Sequence, residues 1–174
     1  MKIKPLKVWI MVGYPGSGKS RKAREIAESN ERTIVVSGDA IREMILGEGN
    51  YFYAPAIGGE AFVKELMELA VIAGLKMRYN VVIDEVNLRR SDREGWRRLA
   101  VKWGSYGDMN RPAAPEIRYV WTAEKRMEVL LDRRMRNGRG FTREHWLGEI
   151  ERMMGEWEDF TGDLAVVRHI TIFL

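Results

Sequence analysis

Residues 13–20 read Gly13-Tyr14-Pro15-Gly16-Ser17-Gly18-Lys19-Ser20, a complete G-x-x-x-x-G-K-S loop. It follows the apolar run Val8-Trp9-Ile10-Met11-Val12 and precedes a helix-compatible stretch, Arg21–Ser29. A strand feeding a glycine loop that opens a helix is the setting in which this motif cradles phosphate. Glycine lets the backbone curl so that successive N–H groups point inward at anionic oxygens. The helix beyond adds the positive end of its dipole. Lys19 is then expected to reach the β- and γ-phosphates of a nucleoside triphosphate, and the Ser20 hydroxyl to ligate Mg²⁺.

Outward from this loop, apolar runs alternate with helical patterns. That alternation predicts an α/β fold, a parallel sheet with helices on both faces. Strands are predicted at Val8–Val12, Thr33–Ser37, Asn80–Asp84, Ile117–Trp121 and Ala165–Phe173. Ser91-Asp92-Arg93-Glu94 has the spacing of a capping box, with Ser91 as cap and Glu94 reaching back. Behind it Trp96, Leu99, Ala100 and Trp103 fall on one helical face. A further helical pattern covers Ala123–Asp132, and Thr142 is the expected cap of the last helix. The stripe of that helix, Trp146, Leu147, Ile150, Met153, Met154 and Trp157, reads as core. Gly47–Gly59 and Ser105–Pro115 carry no period and read as loops.

A chain of 174 residues accommodates one domain, 1–174, with a full core. It contains no run of 18 apolar residues, so no membrane helix is predicted. Met1-Lys2-Ile3-Lys4-Pro5 has no apolar signal core, and a cytoplasmic location is expected. The absence of cysteine removes disulfides, thiolate metal sites and thiol nucleophiles together. A net charge of +4 permits a polyanionic partner without requiring one. Homo-oligomerisation is left open by the sequence.

Three further segments carry chemistry. The second strand ends in Ser37-Gly38-Asp39-Ala40-Ile41-Arg42. Strand C-termini line the ligand crevice of an open parallel sheet, so Asp39 is expected to face the bound phosphates. A carboxylate there can accept the proton of an attacking hydroxyl, or it can simply cap the helix beginning at Ala40. Arg42, one turn on, suits an anionic acceptor group or a solvated surface. The third strand ends in Ile83-Asp84-Glu85-Val86-Asn87-Leu88. Either Asp84 or Glu85 can approach Mg²⁺, depending on strand register. Arg133-Arg134-Met135-Arg136-Asn137-Gly138-Arg139-Gly140-Phe141-Thr142-Arg143 holds five arginines broken by two glycines. Such a hinge fits a lid whose planar guanidinium groups clamp a transferring phosphoryl group; a solvated charged face is the alternative.

Taken together, the loop at 13–20, Ser-Gly-Asp-Ala-Ile-Arg, Ile-Asp-Glu-Val-Asn-Leu and the late arginine lid resemble the 5′-kinase domain of bacteriophage-type polynucleotide kinases. The resemblance runs from about Val8 to about Phe160. The loop alone is shared with many small-molecule kinases; the Asp-x-x-Arg and the Asn-Leu are more specific. The resemblance implies a P-loop kinase fold, ATP and Mg²⁺ as cofactors, and 5′-hydroxyl ends of DNA or RNA as partners. It implies Asp39 as general base for the 5′-hydroxyl and Arg42 as a contact to the phosphate on the acceptor's 3′ side. Asn87 falls with the acceptor group, and Lys19 and Ser20 match the family's loop pair. Arg133, Arg136 and Arg139 compete for the lid positions that grip the ATP phosphates. Arg21-Lys22 stand where the family usually has a threonine after the loop. No Asp-x-Asp-x-Thr motif is present, so no 3′-phosphatase activity is implied.

Two other classes fit parts of the pattern. A small-molecule kinase acting on a nucleoside, nucleotide sugar or antibiotic would keep every ATP-side residue. A non-catalytic, nucleotide-dependent nucleic-acid switch would not need Asp39 beside the γ-phosphate. On the acceptor side, Tyr51, Phe52 and Tyr53 read either as stacking platforms for single-stranded bases or as a small cluster under the loop. Arg89, Arg90, Arg93 and Arg97 are expected to continue a phosphate-tracking path.

Overall fold

A run such as Val8–Val12, apolar at every position, is satisfied only when both faces of its strand are covered. The computed structural model of the chain puts it at the centre of a sheet. Residues 4–47, 59–105, 114–122, 124–136, 141–160, 163 and 169–173 are described. Their elements are β1 Lys7–Val12, α1 Lys19–Glu28, β2 Thr33–Ser37, α2 Gly38–Leu46, α3 Gly59–Lys76, β3 Asn80–Asp84, α4 Arg90–Gly104, β4 Glu116–Thr122, α5 Met127–Arg136, α6 Arg143–Gly155 and β5 His169–Phe173. The strand order is β2-β3-β1-β4-β5, with every pairing parallel. Ser37 lies level with Asp84, and Val12 with Trp121, so the strands end together at one edge. The five predicted strands form: β2 and β3 have the predicted bounds, β1 starts one residue earlier, and β4 is longer by one residue at each end; residues 165–168 of the last lie outside the described part. Among the described residues no helix is long and apolar enough to cross a membrane.

Alternation along the strands sorts the core. Val8, Ile10, Val81, Ile83 and Tyr119 turn to one face, under Val63, Met67, Val71 and Leu75 of α3 and Trp96 and Ala100 of α4. Trp9, Met11, Val82 and Val120 turn to the other, under Ala23 and Ile26 of α1. At the strand ends Val12, Tyr14, Leu88 and Trp121 meet Leu130 and Leu131 of α5 and Trp146 and Ile150 of α6. The α6 stripe is therefore core, as its period predicts. Each buried side chain of this size contributes roughly 1.5–3 kcal/mol, against about 0.2–1 kcal/mol for an exposed ion pair. The three apolar clusters, not the surface ion pairs, hold the layers together.

Several helix starts differ from expectation. α1 begins at Lys19 with Gly18 as N-cap, two residues before the predicted Arg21. α2 begins at Gly38 with Ser37 as N-cap, so Asp39 sits inside the first turn and is not the cap. α5 starts at Met127, not Ala123. The Ser91 capping box does not form: α4 begins at Arg90, and its N-cap is Arg89 with no side-chain bond. Glu94 instead accepts from the Nε–Nη2 edge of Arg97, Nε to Oε2 at 2.6 Å and Nη2 to Oε1 at 2.7 Å. The Glu158 carboxylate accepts the Arg90 N–H in place of a serine cap. Thr142 does cap α6, accepting from the His145 N–H at 3.2 Å.

Arg93 is the largest departure. It is fully buried and cannot track phosphate at the surface. Its Nε donates to Asp163 Oδ2 at 2.8 Å, Nη1 to the Asn87 and Leu88 carbonyls, and Nη2 to the Glu158 and Asp159 carbonyls. Its guanidinium also stands over the Phe160 ring at 4.9 Å. Removing one member of a buried charge pair strands the other, at a cost of about 3–5 kcal/mol. We expect Arg93→Ala and Asp163→Ala each to lower the urea unfolding free energy by about that amount. Their double variant should lose far less than the sum; additive losses would show that the two residues act separately.

Candidate functional site

The strand ends and the loop after β1 enclose a cleft of about 1050 Å³. The loop Gly13–Ser20 forms its floor and is shaped by its glycines. Gly16 has φ +81°, and a Cβ there would stand 2.7 Å from the Leu130 carbonyl oxygen. Only glycine fits this backbone against α5. The Tyr14 ring is buried against Trp121, edge-on at a centroid distance of 6.0 Å, which leaves its backbone carbonyl facing inward. That carbonyl accepts the Ser17 N–H at 3.1 Å and Lys19 Nζ at 2.8 Å. Ser17 Oγ lies 2.6 Å from Thr122 Oγ1, tying the loop to the end of β4. Pro15 and Gly18 complete the wall.

Lys19 is buried beneath this loop. Burial pulls its pKa down to about 8, helped by the nearby Arg134 charge and opposed by Asp84, Glu85 and Asp39. Ser20 hydrogen-bonds the Asp84 carboxyl, which burial raises above its ordinary range while Ser20 and Lys19 hold it down. Glu85 is likewise raised by burial, and Arg42 opposes the rise. Sequence left the choice between Asp84 and Glu85 open; both line the cleft, but they face different neighbours. Asp84 stands with Ser20 and Lys19, and Glu85 with Arg42 and Asp39. Gly38 makes this arrangement possible, because a Cβ there would fall 1.7 Å from Glu85 Oε1. Mg²⁺ is typically held by one or two protein oxygens plus waters and phosphate oxygens, and the Ser20–Asp84 pair fits that donor set.

Asp39 and Arg42 both line the cleft and pair with each other. Arg42 Nη1 donates to Asp39 Oδ1 at 3.1 Å and lies 3.5 Å from Glu85 Oε1. Its remaining edge is taken by Glu60 of α3, with Nε to Oε1 at 2.9 Å and Nη2 to Oε2 at 2.6 Å. Asn87 is not turned towards an acceptor. Its backbone is left-handed, φ +49°, its Nδ2 donates to the Met11 carbonyl at 2.8 Å, and its Oδ1 accepts from Trp96 Nε1 at 3.0 Å. With both ends of the amide engaged, it positions the β3–α4 connection.

On the opposite wall, Arg133 Nη1 donates to the Gly16 carbonyl at 3.2 Å and lies 4.0 Å from Glu124. Arg136 pairs with Asp132 at 2.8 Å along its own helix and also lines the cleft. The residue the sequence reading missed is Arg134. Its guanidinium lies over Trp146 at 3.9 Å, lines the cleft and acts electrostatically on Lys19. The signal was periodicity: Met127, Leu130, Leu131 and residue 134 share the apolar face of α5, so an arginine at 134 turns inward. Arg139, Tyr51, Phe52 and Tyr53 lie outside the described residues. Of the expected path of arginines Arg89, Arg90, Arg93 and Arg97, Arg93 is buried and does not reach the surface, while Arg97 is paired with Glu94 and Arg89 with Glu156 at 3.0 Å.

Residues 8–153 match the model of the AAA domain family, and the chain belongs to that family. No curated protein matches it. Among solved structures it is similar to a chain of the Pnkp1/Rnl/Hen1 RNA repair complex, at 23% identity and TM-score 0.63, covering 90% of this chain and 47% of that one. A second Pnkp1/Rnl/Hen1 complex gives 26% identity and TM-score 0.59, covering 76% of this chain and 40% of that one. The chain thus spans less than half the length of either. A gluconokinase from Sinorhizobium meliloti 1021 gives 21% identity and TM-score 0.53, covering 97% of this chain and 83% of that one. These likenesses share the parallel α/β fold of P-loop kinases.

The buried Lys19 makes a prediction about stability. Its folded pKa, about 8, lies below its ordinary 10.5, so the unfolded chain binds the proton more tightly. The resulting penalty is fully present below pH 8 and is relieved as pH rises towards 10.5. At about 1.4 kcal/mol per pH unit, it is on the order of 3 kcal/mol. Lys19→Met should therefore raise the urea midpoint at pH 7 relative to wild type. The difference between the two proteins should shrink between pH 8 and 10; a constant difference would show that Lys19 is not charged under strain.

Proposed function

We propose that this member of the AAA domain family is an ATP-dependent polynucleotide 5′-hydroxyl kinase with Asp39 as its general base. The observation that supports this most directly is that Asp39 opens on to the same cleft as the glycine loop and Lys19. It is held by Arg42 and not consumed as a helix cap. In this reading the loop N–H groups and Lys19 hold the ATP phosphates, and a 5′-hydroxyl end of DNA or RNA lies between Asp39 and Arg42. The hydroxyl oxygen bonds to the γ-phosphorus as its proton passes to Asp39; the bond to the β–γ bridging oxygen breaks and ADP departs. Lys19, Arg133 and Arg134 offset the charge on the equatorial oxygens, which is where positioning and electrostatics contribute most to phosphoryl transfer. Mg²⁺, when bound by Ser20 and Asp84, would supply further charge neutralisation.

A specific observation favours a second reading, transfer to a small hydroxyl-bearing molecule. A neighbouring cleft of about 440 Å³ shares Arg42, Glu60 and Glu85 with the main one, and its described lining has five carboxylates, Glu60, Glu68, Glu85, Asp92 and Glu156, against two cations, Arg42 and Lys64. Such a wall repels a phosphate chain. Incubation with γ-labelled ATP and a panel of 5′-hydroxyl DNA, 5′-hydroxyl RNA and free nucleosides separates the two. Label on oligonucleotide ends, with steep loss at rising salt, supports the polynucleotide reading; label on nucleosides at equal efficiency transfers it to the small-molecule one.

Asp39 acts on the acceptor and not on the nucleotide in this scheme. Asp39→Ala should lower kcat by about 10²–10⁴-fold, the usual contribution of a general base, and leave the ATP KM within a few-fold. Normal turnover by a folded Asp39→Ala protein would remove it from the chemistry.

A further inference from the structure

Arg42 is enclosed by carboxylates. Asp39 and Glu85 stand at Nη1, at 3.1 and 3.5 Å, and Glu60 spans Nε and Nη2 at 2.9 and 2.6 Å. The Nε–Nη2 edge is the one that forms paired hydrogen bonds with a carboxylate or a phosphate. It cannot serve both at once. The three carboxylates are not equivalent. Asp39 and Glu85 also face Lys19 electrostatically, whereas Glu60 comes from the first turn of α3. Its side chain is 46% exposed against 14% for Arg42, so it can swing into solvent while the arginine stays in place.

We propose that Glu60 is an internal substitute for the acceptor's phosphate: it occupies the paired edge of Arg42 and must be displaced before a phosphate-bearing acceptor can bind there. The inference rests on the reading of Arg42 as the acceptor contact and identifies Glu60 as the residue that sets its selectivity. Each acceptor phosphate exchanges one bidentate anion for another, so part of the binding energy of Arg42 is cancelled by loss of the Glu60 pair. An acceptor with no phosphate next to its hydroxyl leaves Glu60 where it is and gains nothing from Arg42. Glu60 therefore weakens binding of phosphate-bearing acceptors in particular. It also adds to the compensation of Arg42 that Asp39 and Glu85 provide when the site holds no acceptor.

The test uses Glu60→Gln, which keeps shape and exposure and removes the charge, with Glu60→Asp as a second variant that shortens the reach. Each is assayed with a 5′-hydroxyl oligonucleotide and with the same oligonucleotide carrying a neutral methylphosphonate at its first linkage. Glu60→Gln should lower the KM of the normal oligonucleotide by about 3- to 10-fold, with kcat and the ATP KM nearly unchanged. Binding of that oligonucleotide should become steeper in salt by about 0.7 in the log–log slope, the value for one added phosphate contact on a single strand. Glu60→Asp should shift KM the same way by less. On the methylphosphonate oligonucleotide, wild type and Glu60→Gln should be equal. A raised KM in Glu60→Gln would show that Glu60 orients Arg42 and would overturn the proposal, as would an unchanged KM or an equal gain on the methylphosphonate. If wild-type protein phosphorylates no oligonucleotide, the proposed function fails first and this inference with it; phosphorylation without the Glu60 effect overturns the inference alone.

Discussion

The buried Arg93 guanidinium is the constraint on which both walls of the cleft depend. An arginine with no exposure is costly to desolvate unless each of its five N–H groups finds an acceptor. Here all five do: one on Asp163, two on the carbonyls of Asn87 and Leu88, and two on those of Glu158 and Asp159. The first pair of carbonyls belongs to the connection leaving β3, directly after Asp84 and Glu85. The second belongs to the segment leaving α6, the helix that carries Trp146. One cation thus fixes the turn that presents the acidic residues and the segment behind the arginine-bearing wall. Asn87 reinforces it, because its left-handed backbone lets one amide bond both Met11 and Trp96.

With the walls fixed, charge divides the cleft along its length. At the loop end Lys19, Arg133 and Arg134 converge on the glycine floor. At the α2–α3 end Asp39, Glu60 and Glu85 converge on Arg42. In the proposed function a phosphoryl group would lie at the cationic end and a hydroxyl at the acidic one, the order that in-line transfer requires. Gly38 is the small detail that permits the second half of this division. Any side chain there would expel Glu85 from its place beside Arg42.

Much of this was legible in the sequence. The glycine loop between an apolar run and a helix pointed to the floor of the cleft, and the alternation of apolar runs with helical patterns to the parallel sheet. Asp39 and Arg42, three residues apart, reach the cleft because α2 begins immediately at the end of β2. What could not be read was partnership between distant segments. Nothing near Arg93 in the sequence announces Asp163, seventy residues away, so it read as one more surface arginine in a basic run. The Ser91 box failed for the same reason: a carboxylate from Glu158 reached the helix start, and the local bond had no advantage. Glu60 was invisible as well, since its only relation to Arg42 is the packing of α3 beside α2. Arg134 was the exception, legible from its place on the apolar face of α5 but passed over for its neighbours.

The site is assembled against its own electrostatics. Burial pushes Lys19 down towards neutrality and pushes Asp84 and Glu85 up towards it, so three groups in one cleft are held in a charge state their surroundings disfavour. They partly compensate one another, and the apolar clusters beneath the sheet supply the remainder. A polyanion at the glycine floor would restore a counter-charge to Lys19, and a divalent cation at Ser20 and Asp84 would do so for the carboxylate. Binding of either would therefore relieve that strain, and the complex would be more stable than the protein alone by linkage. Two of these three groups, Lys19 and Asp84, are ones that the proposed chemistry uses, as expected where a site keeps ionisable groups against the cost of their burial.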